Sequence, residues 1–188
     1  MNHTARLTAA QETSLAIAAA VVTANAYYIH PIIALVADHF GVSHARIGLV
    51  PALNQLALAV GIFLLLPLGD RFSNRRLTIA FATGQTVSLA VMTFAQGFTL
   101  FVLGSTLLGF FTIAPYLLPA YASKRVAPER LGQVTAKLTA GVILGILVAR
   151  VGAGVVAEHF GWRAVYWAAT GLMLAVTLAL PRLMEGGE

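Results

Sequence analysis

The sequence has no cysteine, and only 10% of its 188 residues are charged. Without cysteine there can be no disulfide, no thiolate nucleophile and no cysteine-based metal site. The scarcity of charge matters more, because a water-soluble domain typically carries about 25% Asp, Glu, Lys and Arg. With 59% hydrophobic residues and a mean hydropathy of +0.83, the chain cannot cover a water-facing surface, and it reads as an all-α integral membrane protein solvated by a lipid bilayer. Other chemistry-bearing patterns are missing too. The sequence shows no phosphate-binding glycine loop, no paired carboxylates and no histidine pair at metal spacing; His3, His39, His44 and His159 fall in the N-terminal tail or outer loops. Ser105 and Ser123 have no base nearby in sequence. No enzymatic activity and no cofactor are expected. The net charge of +5 comes from basic residues in short loops between apolar runs, so topology explains it and no nucleic-acid partner is expected.

What is present is a succession of apolar runs. A spanning helix needs ~20 of them in a row, and six such spans can be placed at about 15–37, 47–68, 77–95, 98–122, 133–157 and 162–180, with tails at 1–13 and 182–188. Leu77 to Ser123 is uncharged and long enough for two helices, with Gln96-Gly97 as the turn. Leu15 to Thr23 followed by Ala24-Asn25-Ala26 has the form of a cleavable signal, but the apolar run continues through Val36 and only Arg6 precedes it, so a span is the better reading. Nine of the twelve basic residues fall on the N-terminal side of the spans: Arg6, Arg71, Arg75, Arg76, Lys124, Arg125, Arg130, Lys137 and Arg182. Only Arg46 and Arg163 lie opposite. Cytoplasmic loops are enriched in Lys and Arg, so both termini are expected in the cytoplasm.

Polar residues inside these spans are the candidate functional groups. Arg150 is the formal charge committed to a span interior, where it costs ~2.5–3.5 kcal/mol on insertion scales and therefore points to a cavity or a partner. The first span carries Thr23, Asn25, Tyr27, Tyr28 and His30 before Pro31, which cannot donate to the Tyr27 carbonyl. A lipid-facing helix would not hold such a set, so it is expected to line a polar cavity. Pro115 and Pro119 should bend the fourth span beside Thr112 and Tyr116, and Asn54 and Gln55 add polarity to the second. The pairs Ala57/Gly61 and Gly141/Gly145 are small residues at four-residue spacing, which permits close helix approach. No carboxylate is expected within a span. Val36-Ala37-Asp38-His39-Phe40-Gly41 is echoed by Val156-Ala157-Glu158-His159-Phe160-Gly161. Both are outer helix ends with a glycine suited to a left-handed cap, and counting back from their acids sets His30 and Arg150 at one depth.

The charged turn between the second and third spans, Leu68-Gly69-Asp70-Arg71-Phe72-Ser73-Asn74-Arg75-Arg76, resembles the signature loop of the major facilitator superfamily, G-x-x-x-D-R-x-G-R-[RK]-[RK]. Asp70, Arg71, Arg75 and Arg76 match it, whereas Leu66 and Ser73 stand where glycines are expected. Asn25-x-Tyr27-Tyr28-x-x-Pro31, Pro67-Leu68-Gly69-Asp70-Arg71, Arg150 and Gly161-Trp162-Arg163 look like a bacterial efflux branch of that superfamily. The resemblance implies the N-terminal six-helix half of a transporter, a 3+3 inverted repeat that moves a small solute by alternating access in the inner (plasma) membrane. It implies a second six-helix half as partner, from another chain or by self-pairing. It further implies that Asp70, Arg71, Arg75 and Arg76 form a cytoplasmic gate, that Asn25, Tyr28, His30, Tyr116 and Arg150 border the solute path, and that Ala57, Gly61, Gly141 and Gly145 pack the helices facing the other half. Proton coupling would fit the branch, but an embedded arginine in the fourth span is absent and Ile146 replaces the proline of the antiporter pattern. The competing expectation is a non-transporting remnant or an interaction subunit.

Overall fold

The computed structural model describes residues 6–184; the outer ends of both expected tails, residues 1–5 and 185–188, lie outside it, as does the side chain of Leu66. Among the described residues all regular structure is helical: α1 (Ala9–Ala24), α2 (Ile29–Phe40), α3 (His44–Ile47), α4 (Leu49–Gly69), α5 (Asn74–Phe94), α6 (Phe98–Phe110), α7 (Ala114–Ser123), α8 (Leu131–Phe160) and α9 (Trp162–Leu183). They make six helical stretches long and apolar enough to cross a membrane, with α1 and α2 together forming the first and α6 and α7 the fourth. Polar residues at the ends start the helices. Thr8 closes a capping box with Gln11, Ser43 accepts from the Arg46 N–H, and Ser73 accepts from the Arg76 N–H.

The first span is not one helix. After Ala24 the backbone tightens into i to i−3 bonds, with Ala26 N–H to Thr23 O, Tyr27 N–H to Ala24 O and His30 N–H to Tyr27 O. The Tyr27 carbonyl, expected to be left free by Pro31, is therefore occupied by His30. Pro31 sits in the first turn of α2, where a missing N–H costs little. The fourth span breaks likewise at 111–113, just before Pro115 at the start of α7. Of the two echoed glycines, Gly41 adopts the left-handed cap (φ 64, ψ 36), but Gly161 does not (φ 88, ψ 163). α9 begins at the next residue, so the chain must reverse at Gly161 alone.

Packing follows three helix pairs: α1 along α8 and α4 along α6 run parallel, and α5 along α9 runs antiparallel. Exchanging the first three spans for the last three turns the first pair into the second and leaves the third unchanged, which is the arrangement an inverted 3+3 repeat requires. The two broken spans are equivalents under this exchange. Phe101, fully buried, fixes the end opposite the basic loops by meeting Phe40, Trp162 and Tyr166 at ring-centroid distances of 5.5, 5.4 and 5.7 Å.

Glycine lets two of these pairs close. A β-carbon at Gly141 or Gly145 would stand 2.5 Å from the carbonyl oxygens of Ala16 and Ala20, one at Gly61 2.5 Å from Phe110 O, and one at Gly109 2.0 Å from Asn54 O. Gly61, Gly141 and Gly145, expected to face a second half, thus bring helices of this half into backbone contact. Their neighbour Ala57 is half-buried. Gly109→Ala should lower the thermal unfolding midpoint in detergent, by an amount reflecting about 1–3 kcal/mol of overpacking. Gly132→Ala, with open space around it, should leave the midpoint unchanged or raise it slightly.

Candidate functional site

Gln85, on α5, joins the two helix breaks. It is fully buried and accepts from Asn25 Nδ2 at 3.3 Å, while its own Nε2 donates to Thr112 Oγ1 at 2.7 Å and to Val22 O at 3.4 Å. Thr112 in turn donates to Leu108 O. One side-chain amide therefore reaches a residue at the break of the first span, a carbonyl of the turn before it, and a hydroxyl at the break of the fourth. In hydrocarbon, interrupted helices persist only where the freed polar groups find partners, and Gln85 supplies them.

Beside this junction lies a cavity of about 170 Å³ between the first, second, fourth and fifth spans. Its polar lining is Thr23, Tyr27, Gln55, Thr112 and Tyr116. Thr23 is buried, and its hydroxyl has no hydrogen-bond partner among the described residues. Val142 and Ile146 complete the α8 wall. Arg150 follows them at the same four-residue spacing, so it stands one turn further along that face, exposed, with its guanidinium 5.8 Å from the Tyr27 ring. Tyr27 also meets His30, their ring centroids 5.7 Å apart. Tyr27 thus links the cavity to both residues whose common depth the sequence suggested.

The expected path residues divide. Tyr116, 51% exposed, lines the cavity, and Arg150 stands at its rim. Asn25 is buried behind it, bonded to Gln85. Tyr28 turns away altogether: it lines a groove on the other side of α1 and meets Tyr166 edge-on at 6.5 Å. The two tyrosines are consecutive, and successive residues of a helical turn project about 100–120° apart. Of the two tyrosines in the polar set expected to line a cavity, Tyr27 does so and Tyr28 does not; Gln85 was passed over. The one signal for Gln85 was an amide in the middle of the uncharged run from Leu77 to Ser123.

The expected gate residues divide as well. Arg75 donates from Nε to Met184 O and from Nη2 to Pro181 O at 3.0 Å, so it holds the carbonyl end of α9. At the opposite end of the pair, Arg163 donates to Thr93 O at 2.6 Å and Ala95 O at 2.8 Å, holding the end of α5. Each arginine is the second residue of its helix, and each satisfies carbonyls that its partner helix leaves unpaired. Between them Thr86 meets Thr177 at 3.0 Å and Thr93 meets Thr170 at 3.3 Å. Asp70, Arg71 and Arg76 remain exposed at the loop, and among the described residues none of them is in an ion pair.

A buried carboxylate was also missed. α1 starts at Ala9, earlier than expected, so Glu12 lies inside the helix, 2% exposed. It is paired with Arg130 at 2.8 and 3.0 Å, with Lys137 at 3.9 Å. Buried charge needs such partners. Glu12 thus lies in the helix that carries the first span, just before the expected bound of 15–37, at the basic end and away from the cavity.

The Major Facilitator Superfamily model matches residues 15–185. Two Escherichia coli proteins, the putative uncharacterized transporter YgaY of strain K12 and its O157:H7 counterpart, are 33% identical over 168 residues. A probable transporter of Streptomyces coelicolor is 30% identical over 165 residues. These alignments cover 89% and 88% of this chain, but it spans only 43% and 38% of the respective relatives.

Gln85→Leu keeps the volume but removes both donor and acceptor. It should destabilise the protein by about 1–3 kcal/mol, the cost of orphaned buried groups, and hydrogen exchange should quicken at residues 22–30 and 108–116 while the α5–α9 ends stay protected.

Proposed function

The chain belongs to the major facilitator superfamily, and from that premise we propose that it forms the first six-helix half of a solute transporter, efflux-type, working by alternating access. The observation that carries the reading is the meeting of two interrupted helices at Gln85 beside a polar cavity. Transporters build their solute sites near the bilayer midplane from discontinuous helices of repeat-related segments.

The cavity offers hydroxyl and amide groups, with the Arg150 guanidinium one turn outward and no carboxylate in its lining. Neutral polar or anionic solutes suit that chemistry, and organic cations do not. Glu12 is locked to Arg130 at the far end of α1, so among the described residues no carboxylate of this half stands at the cavity. A second six-helix half would cover the apolar face exposed on α4 (Leu56, Val60, Phe63). The basic loops set both termini in the cytoplasm, with the six spans in the inner (plasma) membrane and Asp70, Arg71 and Arg76 free to meet the other half at the cytoplasmic side.

The cysteine-free background makes the reading accessible to labelling. Single cysteines replacing Tyr116 and Arg150 should react with membrane-impermeant thiol reagents, while one replacing Leu89, which is fully buried, should be protected. Protection of both test positions from either side of the membrane would overturn the pathway. Reporter fusions should place both ends in the cytoplasm. In liposomes holding this chain with a complementary half, solute flux should fall on Tyr116→Ala and Tyr27→Ala; unchanged flux in both would count against the cavity as the route.

A further inference from the structure

A second concavity, of about 460 Å³, runs along the outside of the bundle. It lies on the face of the α1–α8 contact opposite the polar cavity, with Leu172 of α9 forming the third wall. Along the first span it extends from Thr13 to Tyr28, fifteen residues or ~22 Å at ~1.5 Å each. That exceeds half of the ~30 Å hydrocarbon core, so the groove runs from headgroup level past the midplane. Its floor is low because glycine and alanine bring the two helices into backbone contact there. Its walls are Ile17, Leu144 and other side chains left open to the lipid side, 57% and 59% exposed.

Bulk lipid would fill any such channel without preference; the charge at its mouth makes this one selective. Three ionised groups gather at the basic end of the groove, one carboxylate and two cations. Glu12 is already gripped by both outer nitrogens of Arg130. Lys137 stands at 3.9 Å from the carboxylate, beyond hydrogen-bonding range, and among the described residues its one hydrogen bond is to the Ala9 carbonyl at 3.5 Å. Its ammonium is thus the surplus charge. It has three donors to offer, and it lines the groove with its stem along the apolar wall and its head at the headgroup level.

We propose that this groove is a binding site for one acyl chain of an anionic phospholipid from the cytoplasmic leaflet, with the lipid phosphate held at Lys137. The proposal takes from the reading above only that the basic end faces the cytoplasm, and it is independent of transport. Basic side chains beside apolar clefts at that surface attract anionic lipid at ~1 kcal/mol each, which is about a fivefold preference.

The test is native mass spectrometry of the chain in mild detergent, titrated with phosphatidylglycerol and with phosphatidylcholine of identical chains. The wild-type chain should retain phosphatidylglycerol about fivefold better, the factor expected of one cation. Lys137→Gln should erase the preference and Lys137→Arg keep it. Ile17→Trp, which fills the groove without touching the charges, should reduce retention of both lipids. Equal retention of the two lipids by the wild-type chain would overturn the proposal, as would an unaltered preference in Lys137→Gln or full retention in Ile17→Trp. Because the measurement is made in detergent and needs no second half, its outcome does not depend on whether the transport reading stands.

Discussion

Hydrocarbon offers a broken helix nothing to bond to, and the structure depends on how that constraint is met. Two of the six spans are interrupted near their middles, and the buried amide of Gln85 bridges both interruptions. An amide suits the position because it donates and accepts at once: it takes a bond from Asn25 and gives two, to Val22 and Thr112. Tightened i to i−3 bonds satisfy much of the remaining backbone at the first break. Only with both devices in place can the chain leave helical geometry without exposing polar groups to lipid.

The rest of the half reads as support for that junction. The α5–α9 pair is clasped at both ends by Arg75 and Arg163, each reaching the free carbonyls at the other helix's end. Two threonine pairs lie between. α5 carries Gln85, so fastening α5 to α9 fixes the position of the amide. The α1–α8 and α4–α6 pairs close on glycine against carbonyl oxygen, setting the walls of the cavity. Within the membrane, where burying apolar surface gives no advantage over lipid, close packing and interhelical hydrogen bonds supply the association.

Arg75 shows how a signature residue can have a role that its motif does not suggest. Its place in the charged loop argues for a gate, yet its side chain caps a helix of its own half. Arg163, from a stretch without a recognised gating role, does the same work at the other end. Asp70, Arg71 and Arg76 stay exposed, so the loop divides its labour between holding this half together and presenting charge outward. The pairing of Arg75 with Arg163 could be read only after the helix pairing was known, because they are related by the exchange of repeats and separated by most of the chain.

The sequence by itself determined the solvent, the six spans, the charged turns and the family, because hydropathy and charge act locally and leave a one-dimensional record. It also exposed Arg150 and the polar first span, since each carries a large cost in hydrocarbon wherever it faces. Only the tertiary structure decided which polar groups meet. It set Tyr27 at the cavity and turned Tyr28 away, because helical spacing separates their faces without saying which face meets the cavity. It drew Gly61, Gly141 and Gly145 into this half's own contacts, because a small residue permits approach without saying to whom. And it gave Gln85 its role, because a hydrogen bond between residues sixty positions apart exists only once the chain is folded.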